Sequence, residues 1–218
     1  MVCYPENDIE VWNSSDIHPE DLWIFDKLIV SKKLGYVCGP KGISVPSSGY
    51  YIVRPCVNVL GMGRGAEIRW LDAERDTSEQ MPDGFFWCQI FTGRHLSVDF
   101  CDEEQVLCVE GVRNESDPLW KWQKWNRIDD MIVPYPTFLL DQLKGHYTYI
   151  NVEMINGNII EVHLRRNPDF PLEKNYSEII PVFYGSISEY DHADLISQGY
   201  HYQQEEYQDF HRIGYYYK

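Results

Sequence analysis

The sequence predicts an α+β chain in which strands outnumber helices and run as antiparallel hairpins. Three observations predict it. Tyr147 to Asp169, YTYINVEMINGNIIEVHLRRNPD, alternates apolar and polar residues on both sides of Asn156-Gly157, a dipeptide that accepts the positive φ angles of a tight hairpin turn. Phe85 to Phe100, FFWCQIFTGRHLSVDF, is a pair of β-rich runs pivoting at Thr92-Gly93-Arg94. Helical spacing is confined to a few short stretches, with no internal repeat and no linker long enough to separate independent domains.

Composition bounds the function. With 218 residues, 44% of them hydrophobic, the chain can bury a sizeable core as one domain or two closely packed lobes. Thirty-four acids against 19 bases give a formal net charge of -15, a surface that repels nucleic acid and anionic membrane unless a local basic patch overrides it. The one dense basic–aromatic patch, Trp120 to Arg127, fits a half-buried face better than a nucleic-acid platform. The six cysteines are scattered without CxxC or zinc spacing, so reduced buried thiols are expected. No basic-then-apolar leader opens the chain and no apolar run reaches bilayer length, which places the protein in the cytoplasm.

The elements follow in order. His18-Pro19-Glu20-Asp21 opens a helix, with proline in the first turn and two acids at the positive end of the dipole. Leu22, Phe25, Leu28 and Ile29 continue its spacing to Gly35. A Gly/Pro/Ser-rich loop (38–49) leads to the strand Tyr50–Pro55, YYIVRP, and a glycine-rich turn in NVLGMGRGAEI (58–68) returns into another strand. Val106–Val112 continues the sheet, Asp117-Pro118 starts a short helix carrying three tryptophans, and Thr137–Lys144 is a helix capped by Thr137 and stopped by Gly145. The tail has a strand at Glu178–Tyr184, a short helix near Asp191–Ser197 and a tyrosine-rich end.

In the hairpin, period-two geometry puts Ile150, Val152 and Met154 with Ile160, Val162 and Leu164 against a core. The opposite face carries Asn151, Glu153, Glu161, His163 and Arg165. Carboxylates and imidazole can bind metal, and arginine binds phosphate oxygens. A solvated sheet face with cross-strand ion pairs is the alternative.

Several pieces together resemble ATP-grasp proteins. FTGRHLSVDF looks like the family's hinge strands, YYIVRP its strand ending in Lys-Pro, FDKLIVSKKLGY its opening Asp-Lys helix, and IIEVHLRRNP its metal-binding strand. Their order along the chain also fits, over about Asp16 to Asp169. The resemblance implies two antiparallel-sheet lobes clamping nucleotide, roughly 16–84 and 85–170 of a module spanning 1–170. The lobe that usually precedes the module is reduced or absent, and 171–218 forms a C-terminal extension packed on the same domain.

Residue by residue, the resemblance gives Lys27 and Arg54 to the ATP phosphates, and Gly61, Gly63 and Gly65 to the loop that closes over them. Gln89, Ile90 and Phe91 match the adenine-reading hinge, and His95 stands where a ribose-binding glutamate is usual. Glu153 (Asn151 in the competing register) and Glu161 match the carboxylates for Mg2+ or Mn2+, His163 stands in place of asparagine, and Arg165 or Arg166 is placed to hold an acyl phosphate. Arg54 in place of lysine resembles an arginine-for-lysine clade found in bacteriophages and bacteria, which would put a phage protein in host cytoplasm. The implied activity is ATP-dependent ligation of a small-molecule or peptide carboxylate to an amine or thiol. A nucleotide-binding descendant without chemistry, and an acidic interaction module, are the competing expectations.

Overall fold

The computed structural model describes residues 17–58, 63–75, 77–119, 121–170, 174–183, 191–204 and 212–218. Two antiparallel sheets form the frame. The smaller has the order β1-β4-β2-β3, from Cys38–Pro40, Phe85–Cys88, Gly49–Pro55 and Glu67–Leu71. The larger has the order β11-β12-β10-β7-β6-β5-β8-β9. Its strands are β5 His95–Cys101, β6 Glu104–Val112, β7 Lys124–Arg127, β8 Tyr149–Ile155, β9 Asn158–His163, β10 Glu178–Phe183, β11 His201–Gln204 and β12 Arg212–Tyr217. None of the described helices is long and apolar enough to cross a membrane.

The expected hairpin is present as β8 and β9, with Asn156 and Gly157 at φ 49° and 80°. Its core face is corrected at one position. Glu153 pairs with Glu161, but Met154 pairs with Ile159, so a bulge leaves Ile160 unpaired. Ile159, not Ile160, therefore joins Ile150, Val152, Met154, Val162 and Leu164 in the core. This core also takes Leu96, Val98 and Phe100 of β5, together with Ile24, Phe25, Val30, Leu139, Leu140 and Leu143.

The opening helix is split. A 3-10 turn covers Pro19–Phe25, and α1 is Lys27–Lys33. Asp26 stands between them in an extended conformation and caps α1, its side chain accepting from the N–H of Leu28 and Ile29. The cap competes with helical continuation and wins because it satisfies two orphan donors. Helix α1 lies between the lobes, with Val30 in the large core and Leu28 on Phe86 and Cys88 of the small sheet.

Three further expectations change. The two runs of 85–100 are not a hairpin: β4 pairs with β1 and β2, β5 with β6 and β8, and 89–94 is the connection between sheets. Phe85–Cys88 is thus a strand of the small sheet, and Ile24 and Phe25 of the first helical segment pack in the core of the large one. Among the described residues, 117–127 contains no helix; Trp125 faces inward on β7, which pairs with β6 and β10 (Trp120 lies outside the described residues). Thr137 begins α2 (Thr137–Leu140) without capping it, and a 3-10 turn follows before Gly145.

The C-terminal extension enlarges the large sheet, with β10 joined to β7 and β12. Helix α3, His192–Ser197, is capped by Asp191, whose carboxylate accepts from Asp194 N–H. Cys38, Cys56, Cys88, Cys101 and Cys108 are free thiols, and burial pushes Cys56, Cys88 and Cys108 up to about 11, which keeps them protonated.

Candidate functional site

A cavity of about 240 Å3 lies between the two sheets. The small sheet contributes Ile52 and Arg54 from β2, Ile68 from β3 and Cys88 from β4. Gln89, Ile90 and Phe91 line it at the connection, and the large sheet presents His95, Glu153, Ile155, Ile160, Glu161 and His163. Lys27, Asn58 and Gly63 complete one side, Arg165, Asn167, Asp169 and Arg212 another. Five lysines and arginines line the cavity against three carboxylates, on a chain whose net charge is -15. Cationic residues are thus gathered where the rest of the surface is acidic, and low-dielectric walls focus that field.

Arg54 reaches across from the small sheet. Its Nη2 donates to the carbonyl of Ile160 at 2.8 Å, and its guanidinium lies 5.2 Å from the Phe86 ring. The bulge at Ile160 exposes that carbonyl to the cleft. Nε of Arg54 is buried and has no partner among the described residues, a donor left over for a ligand. Burial lowers the pKa of Arg54 while Glu161 and Glu153 raise it, and a guanidinium keeps its charge throughout.

Lys27, at the start of α1, is 3% exposed. Its Nζ donates to Asn58 Oδ1 at 2.8 Å and lies 3.3 Å from Glu161 Oε1. Asn58 Nδ2 donates to the same carboxylate oxygen at 2.5 Å. Nothing in the sequence singled out Asn58, because its role comes from bridging two residues more than thirty and a hundred positions away.

Glu153 faces Glu161 across the strand pair. His95 Nε2 is 3.1 Å from Glu153 Oε2, and His163 Nε2 lies 3.8 Å from Glu153 and 3.6 Å from Glu161. Burial raises the Glu153 carboxyl, but hydrogen bonds and charge from His163 and His95 outweigh it and hold the group well below the usual carboxylate range. Asn151, the competing register, is 1% exposed and donates to Ser97 Oγ and Asp99 Oδ1, both at 2.8 Å, so it faces no open space.

Gln89, Ile90 and Phe91 line the cavity, with Gln89 N donating to Val37 O and Val37 N to Gln89 Oε1. Gly63 lines it too. Gly65 instead stands against the Phe85 ring, and Gly61 lies outside the described residues. His95 is tied to Glu153 and packs 4.4 Å from the Trp122 ring.

No protein-family model matches the chain, and no curated protein matches it in sequence. Among solved structures it is similar to N5-carboxyaminoimidazole synthetase from Staphylococcus aureus complexed with ADP, with TM-score 0.59 and 12% identity over 90% of this chain and 67% of that one. An ADP complex of N5-carboxyaminoimidazole ribonucleotide synthetase gives TM-score 0.53 and 12% identity over 89% and 67%. An ATP-grasp superfamily protein from Archaeoglobus fulgidus gives TM-score 0.48 and 16% identity over 75% and 59%. This chain has the ATP-grasp fold. It spans roughly three fifths to two thirds of the length of these three proteins.

In the ATP-grasp cleft the carboxylates suit a particular kind of metal site. Magnesium is held by one or two carboxylates together with nucleotide phosphates and water, rather than by an all-protein cage. Glu153 and Glu161 fit that pattern, as hard oxygen donors in register on adjacent strands. No cage of three or more His, Cys, Asp or Glu side chains occurs among the described residues.

Sequence reasoning missed Asn58, Arg113, Trp122, Asn167, Asp169 and Arg212, all on the cavity wall. Only Trp122 carried a signal, through the alternating aromatic and basic run.

Proposed function

We propose that this chain is an ATP-dependent ligase that joins a carboxylate to an amine or thiol through an acyl phosphate. The observation that carries this reading is the concentration of cations in the interlobe cleft of an ATP-grasp fold, with a buried Arg54 Nε left to bind. Adenine lies at the Gln89–Phe91 hinge between Ile52 and Ile68 above and Ile155 and Ile160 below. Lys27 and Arg54 hold the phosphates, and the backbone of Gly63 approaches them where a side chain is absent. His95 lies beside the ribose.

Glu153 and Glu161, with His163 beside them, hold the Mg2+ or Mn2+ that comes with the nucleotide and offsets phosphate charge. The substrate carboxylate oxygen forms a bond to the γ-phosphorus as the bond to the β-phosphate oxygen breaks, releasing ADP. The amine or thiol then attacks the carbonyl carbon and phosphate leaves. Arg165 holds the acyl phosphate between the two steps, since a guanidinium fork matches phosphate geometry. Arg54 in place of lysine supports placing the chain in the arginine-for-lysine clade.

Coupled ADP release in mixtures of carboxylic acids, amino acids and short peptides tests the activity. Melting with and without ATP and magnesium tests the nucleotide site, because ligand at a hundred times its dissociation constant adds about 2.7 kcal/mol. Absence of any nucleotide-dependent shift would refute the reading. A second reading is favoured by one contact, His95 Nε2 on Glu153 at 3.1 Å, which occupies a carboxylate the chemistry needs. It is a nucleotide-binding accessory protein, which binds ATP and releases no ADP in any mixture.

A further inference from the structure

Two thiols face each other in the small sheet, at the strand that leads into the hinge. Strand β1 pairs with β4 so that Cys38 stands opposite Cys88. Two backbone hydrogen bonds fix the phase of that ladder. Gln89 N donates to Val37 O at 2.9 Å, and Lys41 N donates to Phe85 O at 3.1 Å. Hydrogen-bonded and non-hydrogen-bonded pairs alternate along an antiparallel ladder, so these two pairs are of the first kind and Cys38–Cys88 is of the second. The other edge of β4 agrees. Cys56 N donates to Gly84 O at 2.8 Å, which makes Ile52 and Cys88 a hydrogen-bonded pair and turns the Cys88 backbone groups away from Cys38.

That phase matters because facing residues at a non-hydrogen-bonded position have Cα atoms about 4.5 Å apart and side chains on one face. A disulfide spans Cα separations of about 4.4 to 6.8 Å. The two side chains do share a face, since Cys38 packs against the cluster of Leu28, Phe86 and Cys88. Burial is the main reason the Cys88 thiol is pushed up; Arg54 opposes it and the Cys38 sulfur adds to it, as near neighbours do. Cys38 is only partly buried, and Cys88 lines the cleft cavity. One sulfur is thus open to solvent and the other to whatever fills the cleft.

We propose that Cys38 and Cys88 are a reversible modification site, forming a cross-strand disulfide with hydrogen peroxide as oxidant, and that a nucleotide in the cleft opposes its formation. Cys38, the more exposed sulfur, attacks peroxide; an S–O bond forms as the O–O bond breaks, and one water leaves. The Cys88 sulfur then attacks that sulfenic sulfur. The S–S bond forms as the S–O bond breaks, and the Cys88 proton departs with the oxygen as a second water. Two electrons pass from the thiols to the peroxide. Burial that keeps Cys88 protonated slows this reaction without forbidding it, and the disulfide carries no charge for burial to penalise. The cross-link stands on strand register alone; only its response to nucleotide rests on the proposed function.

The test treats the full chain with hydrogen peroxide, alkylates the remaining thiols and maps peptides without reduction. In wild type the peptide joining Cys38 to Cys88 should exceed every other cysteine pair about tenfold and disappear with dithiothreitol. In the urea-unfolded chain that preference should vanish, because the register that selects the pair is gone. Cys38→Ala and Cys88→Ala should each lose the link and leave the remaining thiol open to alkylation. A dominant bond to Cys56, an equal preference in the unfolded chain, or oxidation to sulfinic acid without a link overturns the proposal. Saturating ADP should slow formation of the link about fivefold by covering Cys88. An unchanged rate with ADP demonstrably bound overturns the nucleotide response. If calorimetry shows no ADP binding to wild type, the ligase reading falls, while the peptide map still decides the cross-link. Circular dichroism confirms folding, and Cys38→Ala, at the less buried position, serves if Cys88→Ala does not fold.

Discussion

Arg54 of the small sheet donates to the carbonyl of Ile160 in the large one, 2.8 Å away and one residue before Glu161. The two lobes are thus joined by a side chain whose remaining donors face the cleft. Loss of the guanidinium removes both the bridge and a phosphate ligand. Arg54→Met should weaken ADP binding at least tenfold, about 1.4 kcal/mol, and leave the Ile160 carbonyl unpaired. Arg54→Lys should recover only part of the affinity, since an ammonium cannot bond Ile160 and phosphate in the same fork. Calorimetric titration with ADP measures both.

Lys27 and Glu161 form a buried pair with Asn58 between them. Glu161→Gln strips Lys27 of its counter-charge and should cost about 3 kcal/mol of stability, read from urea melts. ATP turnover should be lost as well. The double variant Lys27→Met/Glu161→Gln should regain much of the stability without regaining activity. Recovery of turnover in the double variant would remove Glu161 from the chemistry.

Asp99 is 1% exposed, and burial raises its pKa to about 6 against hydrogen bonds from Asn167 and Asn151 that lower it. Its raised folded value means the native state holds a proton that the unfolded chain releases between about pH 4 and pH 6. Stability from this group therefore falls as pH rises through that window and is flat above it. The loss is on the order of 3 kcal/mol. Asp99→Asn should abolish this slope, so that its stability relative to wild type improves from pH 4 to pH 7. Urea melts at pH 4, 5, 6 and 7 would show it; a constant difference between the two proteins would contradict it.

Gly111 lets Trp122 lie against the sheet: a Cβ there would sit 2.5 Å from the Trp122 ring and 3.0 Å from that of Trp125. Trp125 is 1% exposed and has nowhere to go. Gly111→Ala should displace Trp122 from His95 and cost about 1 to 3 kcal/mol. It should also weaken nucleotide binding, visible as a shift in tryptophan fluorescence together with a lower ADP affinity.

The sequence alone determined what depends on neighbours along the chain. Asn156-Gly157 dictated a hairpin because few dipeptides accept two positive φ angles, and strict alternation then put Glu153, Glu161 and His163 on the polar side. The short helix near Asp191–Ser197 was likewise legible in the sequence. Tertiary structure decided what depends on distant partners. The bulge that turned Ile160 into the cleft follows from strand pairing, and the break at Asp26 follows from a side-chain cap that outcompetes helical spacing. The sheet boundary falls at 89–94 because β4 finds its partners in β1 and β2, and local alternation carries no record of that choice. Asn58, Asn167 and Arg212 became site residues only when separations of dozens of positions closed to hydrogen-bond distance. Such polar residues leave no periodic trace, so their meaning exists only in three dimensions.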